Sequence, residues 1–381
     1  MEKIYSHTPL MAVEKQRPEW APANAGDVFA SEVRKGRVPA TTPADAIPRP
    51  KRRRNSLNPR ELARLVREQD RTALARAITM VESRNAEHEE MAAQLLQHLR
   101  EEPVPEASFR LGITGVPGAG KSTLIENFGL HLCNSGLRVA ILAIDPSSAR
   151  TGGSILGDKT RMEELSREPN AFIRPSPSGG TLGGVARRTR ETMVLCEAAG
   201  FDVILVETVG VGQSEGMVRD MVDCFLLVLI AGAGDELQGI KRGVMELADI
   251  ILVNKCDGDN VARARTTRAD LQRVLHYLRP STEGWQSSAH CCSALTGEGI
   301  SDLWELLQRF RETTTSSGVF QKRRQQQNVA WMERMLEEEL RRRFFADPGM
   351  RARLEEVRAA VAEGRSNPTA AVRDILRTWN P

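Results

Sequence analysis

Short apolar runs alternate with helix-length stretches through the middle of this 381-residue chain. Arg110 to Thr114, Val139 to Ile144, Val203 to Val206, Phe225 to Ile230 and Ile250 to Val253 read as strands with no polar face. Buried strands separated by helices specify a mainly parallel sheet covered on both sides, an α/β fold. Ligands of such sheets bind beyond the carboxyl ends of the strands. Ahead of the sheet, from about residue 57, Leu62, Leu65, Val66, Leu74, Ile78 and Val81 recur at helical spacing, and Met91, Leu95 and Leu99 form a second stripe; two helices are expected. After about residue 318 the pattern is wholly helical. Val329, Met332, Leu336, Leu340 and Phe344 share one stripe, and Met350, Leu354, Val357 and Val361 another. Asn367-Pro368 then opens a last helix carrying Val372, Ile375, Leu376 and Trp379. These stripes suit ordinary packing on the core or a dimer arm.

The first strand runs into Gly115, Val116, Pro117, Gly118, Ala119, Gly120, Lys121, Ser122 and Thr123, which fit the phosphate-loop spacing G-x-x-x-x-G-K-[ST]. Glycines let successive backbone N–H groups turn onto an anion, Lys121 reaches the outer phosphates, Ser122 offers its hydroxyl to Mg²⁺, and the following helix presents its positive end. The run Ile250 to Val253 ends in Asn254, Lys255, Cys256 and Asp257, or N-K-x-D. A carboxylate there accepts from guanine N1–H and its 2-amino group together, a donor pair adenine lacks. Ser293, Ala294 and Leu295 stand where a backbone N–H would meet guanine O6. The strand from Val203 opens into E-x-x-G, with Glu207 a candidate Mg²⁺ ligand and Gly210 a candidate γ-phosphate contact. No glutamine follows Gly210 directly; Gln213 is three residues on, so unaided hydrolysis should be slow. Asp145 and Asp158 are alternative second metal ligands, or loop caps.

Composition adds limits. The 53 basic and 50 acidic residues leave a net charge of +3, which is not a nucleic-acid footprint. The longest apolar run, Cys224 to Ala233, is too short to span a bilayer, so no membrane partner is expected. Six cysteines without C-x-x-C spacing suit a reducing compartment. Residues 1–56 lack periodicity, are rich in Pro, Ala and charge, and read as a disordered leader. Their basic bias suits a mitochondrial presequence, but Glu2, Glu14, Glu19, Asp27 and Glu32 do not; KRRR at 51–54 mimics a nuclear signal or is a solvated charge run.

Taken together, GVPGAGKST, AIDPSS, GGSILGDKTRM, RPSPSGGTLGG, ETVGVGQSE, GAGDELQGIKRG and NKCDGD resemble the methylmalonyl-CoA mutase-associated GTPases, including their human homologue in B12 metabolism, from about residue 60 to the C-terminus. The resemblance implies a P-loop GTPase core over 104–317, N-terminal helices over 57–103 and a C-terminal dimerisation arm over 318–381. It implies a homodimeric GTP/GDP- and Mg²⁺-dependent chaperone that gates adenosylcobalamin delivery to the mutase and protects or reactivates it. The cobalamin adenosyltransferase is a second implied partner. In that family the stretch from Gly234 to Lys241 acts as an extra switch loop, here carrying Asp235, Glu236, Gln238 and Lys241. The compartment implied is the mitochondrial matrix in a eukaryote and the cytoplasm otherwise. No D-x-H-x-x-G is present, so radical chemistry would belong to the partner. Two other readings stand beside this one: a nickel-type metallochaperone GTPase, which would need metal-relay ligands, and a GTP-binding scaffold without turnover.

Overall fold

The computed structural model describes residues 14–16, 31–33, 58–83, 85–101, 108–144, 162–175, 182–208, 215–231 and 242–379. In the leader, β1 (Glu14–Gln16) and β2 (Ser31–Val33) pair antiparallel, with Glu14 opposite Val33. They form a unit separate from the rest of the chain.

All five expected strands are present, as β3 (Phe109–Gly115), β4 (Val139–Ile144), β6 (Val203–Thr208), β7 (Cys224–Ile230) and β8 (Ile250–Asn254). The edges are β5 (Ala171–Arg174) and β9 (Ser288–Cys291), neither of which periodicity reveals. Both are four residues long and partly exposed, so they lack the apolar run that marks an interior strand. The sheet of seven strands is parallel throughout, in the order β5-β4-β6-β3-β7-β8-β9. β3, which carries the phosphate loop, lies at its centre.

One face of the sheet is covered by α4 (Lys121–Asn134), α5 (Glu163–Arg167), α9 (Val261–Tyr277) and α10 (Ile300–Ser316), around Phe128, Leu226, Ile251 and Phe310. The other is covered by α6 (Leu182–Ala198), α7 (Glu215–Arg219) and the N-terminal helices, around Leu74, Leu95, Ile204 and Phe225. The short α8 (Arg242–Leu247) leads into β8. The two N-terminal helices expected from periodicity are three: α1 (Pro59–Arg67), α2 (Arg71–Glu82) and α3 (Ala86–Arg100). The break falls at Gln69, whose φ is 64°, and at Asp70, whose carboxylate caps α2 by accepting from the Ala73 N–H at 2.8 Å. Leu74 lies eight residues beyond Val66, close to two helical turns and a fraction, so the stripe stays nearly in phase across the break.

The C-terminal region forms α11 (Val319–Ala346), α12 (Pro348–Ala362) and α13 (Pro368–Thr378). Its first turns are bound to the amino ends of the central strands β3 and β7, away from the phosphate loop. Phe320 is buried, and the Arg324 guanidinium above its ring grips the Asp223 carboxylate with bonds of 2.9 and 2.7 Å and donates to Ser108 O at 2.8 Å. Farther along α11 the expected stripe faces solvent: Val329, Met332, Leu336 and Leu340 are 43–56% exposed. Among the described residues, no helix is long and apolar enough to cross a membrane.

Arg324→Ala is expected to lower unfolding free energy by about 3 kcal/mol, because it strips the bidentate cation from a buried carboxylate. Urea denaturation of the purified variant checks this; a loss below about 1 kcal/mol would show that Asp223 is satisfied without Arg324.

Candidate functional site

The phosphate loop leaves β3 where the sheet is most crowded. A Cβ on Gly115 would lie 2.1 Å from Val228 O in the neighbouring strand, so only glycine admits this approach. Gly120 precedes α4 at φ 82°, a conformation suited to glycine, and a Cβ there would meet Asn254 Nδ2 at 2.7 Å. The loop thereby delivers its chain directly into the first turn of a 14-residue helix, whose N–H groups and dipole favour an anion. Val116 and Ala119 are buried beneath the loop, while Pro117, Gly118 and Thr123 are exposed.

Lys121 is 8% exposed, and its ammonium donates to Gly115 O at 2.8 Å and Val116 O at 3.2 Å. Burial pulls its pKa below the ordinary lysine value, and the Glu207 carboxylate opposes that shift. Glu207, near the end of β6 and itself buried, accepts from the Ser122 hydroxyl at 3.4 Å. Lysine and hydroxyl from the first turn of α4 and the carboxylate from β6, the strand beside β3, therefore meet at one point. The hydroxyl and carboxylate oxygens are the hard donors a magnesium ion uses.

The residues expected to hold guanine lie on two loops sewn together. Asn254, 1% exposed at the end of β8, spends both ends of its carboxamide on protein: Nδ2 donates to Ala119 O at 2.7 Å and Oδ1 accepts from Ala294 N at 2.9 Å. The Cys256 N–H donates to Cys292 O at 2.9 Å, and the Ser293 hydroxyl donates to the Asp257 carboxylate. Lys255 takes a positive φ of 59°, which turns the chain between Asn254 and Asp257. Leu295 is 78% exposed at the tip of the second loop. Asn254, expected from sequence as a nucleotide contact, also braces the phosphate loop against the loop after β9.

Two further positions escape sequence reasoning. The Asn127 amide on α4 donates to Ala294 O at 2.8 Å, across 167 residues of chain, and the Thr208 hydroxyl donates to Thr114 Oγ1 at 2.8 Å, joining β6 to β3. Asn127 belongs to no local pattern, and Thr208 stands at an unspecified position of E-x-x-G. Gly210, Asp145, Asp158, Asp235, Glu236, Gln238 and Lys241 lie outside the described residues.

The sequence is 54% identical over 310 residues to a putative GTPase of Caulobacter vibrioides, covering 81% of this chain and 94% of that protein. It is 48% identical to the GTPase ArgK of Escherichia coli, covering 83% and 95%, and 46% identical to the mitochondrial methylmalonic aciduria type A homolog of Mus musculus, covering 81% and 76%. The fold matches a crystal structure described as LAO/AO transport system kinase with a TM-score of 0.68 and 41% identity, over 85% of this chain and 98% of that one. The profile of the family described as methylmalonyl Co-A mutase-associated GTPase MeaB matches residues 74–349. With the phosphate loop, the Ser122–Glu207 pair and the joined guanine loops in place, the chain belongs to the MeaB family of methylmalonyl-CoA mutase-associated GTPases.

Proposed function

We propose that this GTPase is a nucleotide-gated chaperone of an adenosylcobalamin-dependent methylmalonyl-CoA mutase, controlling cofactor loading and protecting or reactivating the enzyme. One observation supports a partner-dependent switch above others. Lys121, Ser122 and Glu207 meet at the phosphate end, but Val211, not glutamine, follows Gly210. The site can hold and polarise a triphosphate, yet the position that orients the attacking water in small GTPases is not filled. Family membership favours this role over a nickel-type metallochaperone or a scaffold without turnover.

In this mechanism the loop N–H groups and Lys121 hold the β- and γ-phosphates. Ser122 and Glu207 would hold Mg²⁺, with Asp145 or Asp158 as a further ligand, and the ion would offset phosphate charge. Water attacks the γ-phosphorus, the bond to the β–γ bridging oxygen breaks, and Lys121 stabilises charge developing on that leaving oxygen. Asp257 would select guanine, with its carboxylate held by Ser293. Gly210 would report the γ-phosphate, and Asp235, Glu236, Gln238 and Lys241 would carry that state to the mutase. The cobalamin adenosyltransferase is the proposed source of loaded cofactor. The compartment we assign is the matrix if the source cell is eukaryotic, as for the mouse relative, and the cytoplasm otherwise.

The solvent-facing stripe of α11 supports a homodimer, because four large apolar side chains at helical spacing stay uncovered in one copy.

The central test is GTP turnover with and without an adenosylcobalamin-dependent methylmalonyl-CoA mutase. Unaided turnover is expected on the order of 10⁻⁴ to 10⁻² s⁻¹, with at least about tenfold stimulation by the mutase. An unchanged rate would remove the chaperone reading. Leu336→Asp is expected to convert the dimer to a monomer at micromolar concentration while leaving the α11 anchor intact; light scattering showing the wild type already monomeric would end that proposal. Asn254→Ala removes the brace and orphans a buried carbonyl and N–H. Stability should fall by about 2–4 kcal/mol and GDP affinity by about tenfold or more, read by thermal melting and nucleotide titration.

A further inference from the structure

Arg190 sits on α6, is 6% exposed, and points none of its described bonds at a carboxylate. One arm of its guanidinium donates to Gln327 O on α11 at 2.5 Å, and the other donates to Asp220 O, immediately after α7. Its plane lies over the Trp331 ring, 5.6 Å from the centroid. The same junction is closed by Gln327 Nε2, which donates to Val222 O at 2.8 Å, and by an ion pair between Arg334 and the Asp220 carboxylate. Burial and the nearby Arg110 and Arg334 lower the Arg190 pKa to about 10, with Asp220 opposing. A cation kept in such surroundings is expensive to bury, and its rigid fork fixes the spacing of the two carbonyls it joins.

The helices that meet at Arg190 are not arbitrary. In sequence, α7 begins at Glu215, five residues after the glycine of E-x-x-G, and α6 begins at Leu182, inside the Gly/Ser-rich stretch 178–184. α11 bears the exposed stripe. One side chain therefore bonds α6 to the end of α7 and to the arm, on the side of the sheet away from α4. A shift of α7 relative to α6 must either break a buried hydrogen bond or carry α11 with it, since packed elements move between discrete arrangements.

We propose that Arg190 is a positioning residue that couples the nucleotide state to the orientation of the α11 arm, with the Asp220–Arg334 ion pair as its outer half. This inference rests on the γ-phosphate being sensed after β6, as set out above. The shared stripe would then be presented to a second copy, or to the mutase, in a nucleotide-dependent pose.

Hydrogen exchange of the full chain, bound to GDP or to a non-hydrolysable GTP analogue, tests it. In the wild type, amides within residues 327–346 should differ in exchange rate between the two states by about threefold or more. Arg190→Lys keeps the charge but not the two-armed fork, and should abolish that difference while GDP affinity stays within about twofold. Arg334→Gln changes only a half-exposed side chain, so it should fold even if the first variant does not, and should reduce the difference by about half. Identical arm exchange in the two nucleotide states of the wild type, with analogue binding demonstrated, overturns the coupling. So does a full difference retained in both variants, or in Arg334→Gln alone if Arg190→Lys does not fold. Loss of mutase stimulation with the arm response intact would instead sink the chaperone reading and leave the junction standing.

Discussion

The nucleotide site depends on one carboxamide. Asn254 joins three loops that leave different strands: its amide nitrogen holds the phosphate loop at Ala119, and its oxygen holds the loop after β9 at Ala294. A parallel sheet brings these loops to one edge but does not fix their spacing. Two hydrogen bonds from a side chain that is 1% exposed do, because leaving either end unmade would strand a buried polar group. Asn127 repeats the device from α4 by donating to the Ala294 carbonyl, so the phosphate loop and the loops after β8 and β9 are spaced by contacts within the protein. Gly120 belongs to the same constraint, since its missing side chain is the space into which the Asn254 amide fits.

Much of this was readable from the sequence, and the reason lies in locality. The phosphate loop and N-K-x-D each place their chemistry within a few residues of one strand end, and five interior strands announce themselves as apolar runs. What stayed hidden is long-range or marginal. Asn127 meets Ala294 and Arg324 meets Ser108 across 167 and 216 residues, distances over which no local pattern speaks. The edge strands β5 and β9 are too short and too exposed to carry a periodic signal. The break between α1 and α2 hides because the apolar stripe stays nearly in phase across it, although Asp70 is a competent cap. The C-terminal stripes were legible as helices but ambiguous between core and surface, and only their exposure separates the two.

The two ends of the sheet are opposite in character. At the carboxyl ends of the strands lie the positive end of α4 and the buried Lys121 ammonium, which donates to Gly115 O and Val116 O. At the other end, Asp223 and Asp249 are almost fully buried and are held by cations from separate segments. Arg324 takes Asp223, and Arg219 approaches Asp249 at 3.3 Å while Arg323 approaches it at 3.9 Å. Asp223 and Asp249 also cap the sheet itself, accepting from the N–H groups of Arg110 and Phe225 at 2.8 and 2.9 Å. The base of α11 is thus a fixed part of the GTPase core, and the arm becomes a separate surface only beyond its first turns.

The Arg324–Asp223 pair has a consequence for the order of events during synthesis. Asp223 leaves the ribosome a hundred residues before its bidentate cation, and Asp249 likewise precedes Arg323. A nascent chain that has completed the sheet but not α11 must bury these carboxylates with incomplete counter-charge, or keep that edge open to water. A chain that ends before Arg323 therefore lacks the counter-charge at the amino ends of β7 and β8 and also the apolar stripe that begins at Val329. The ion pair would thereby make display of the stripe coincide with a finished sheet.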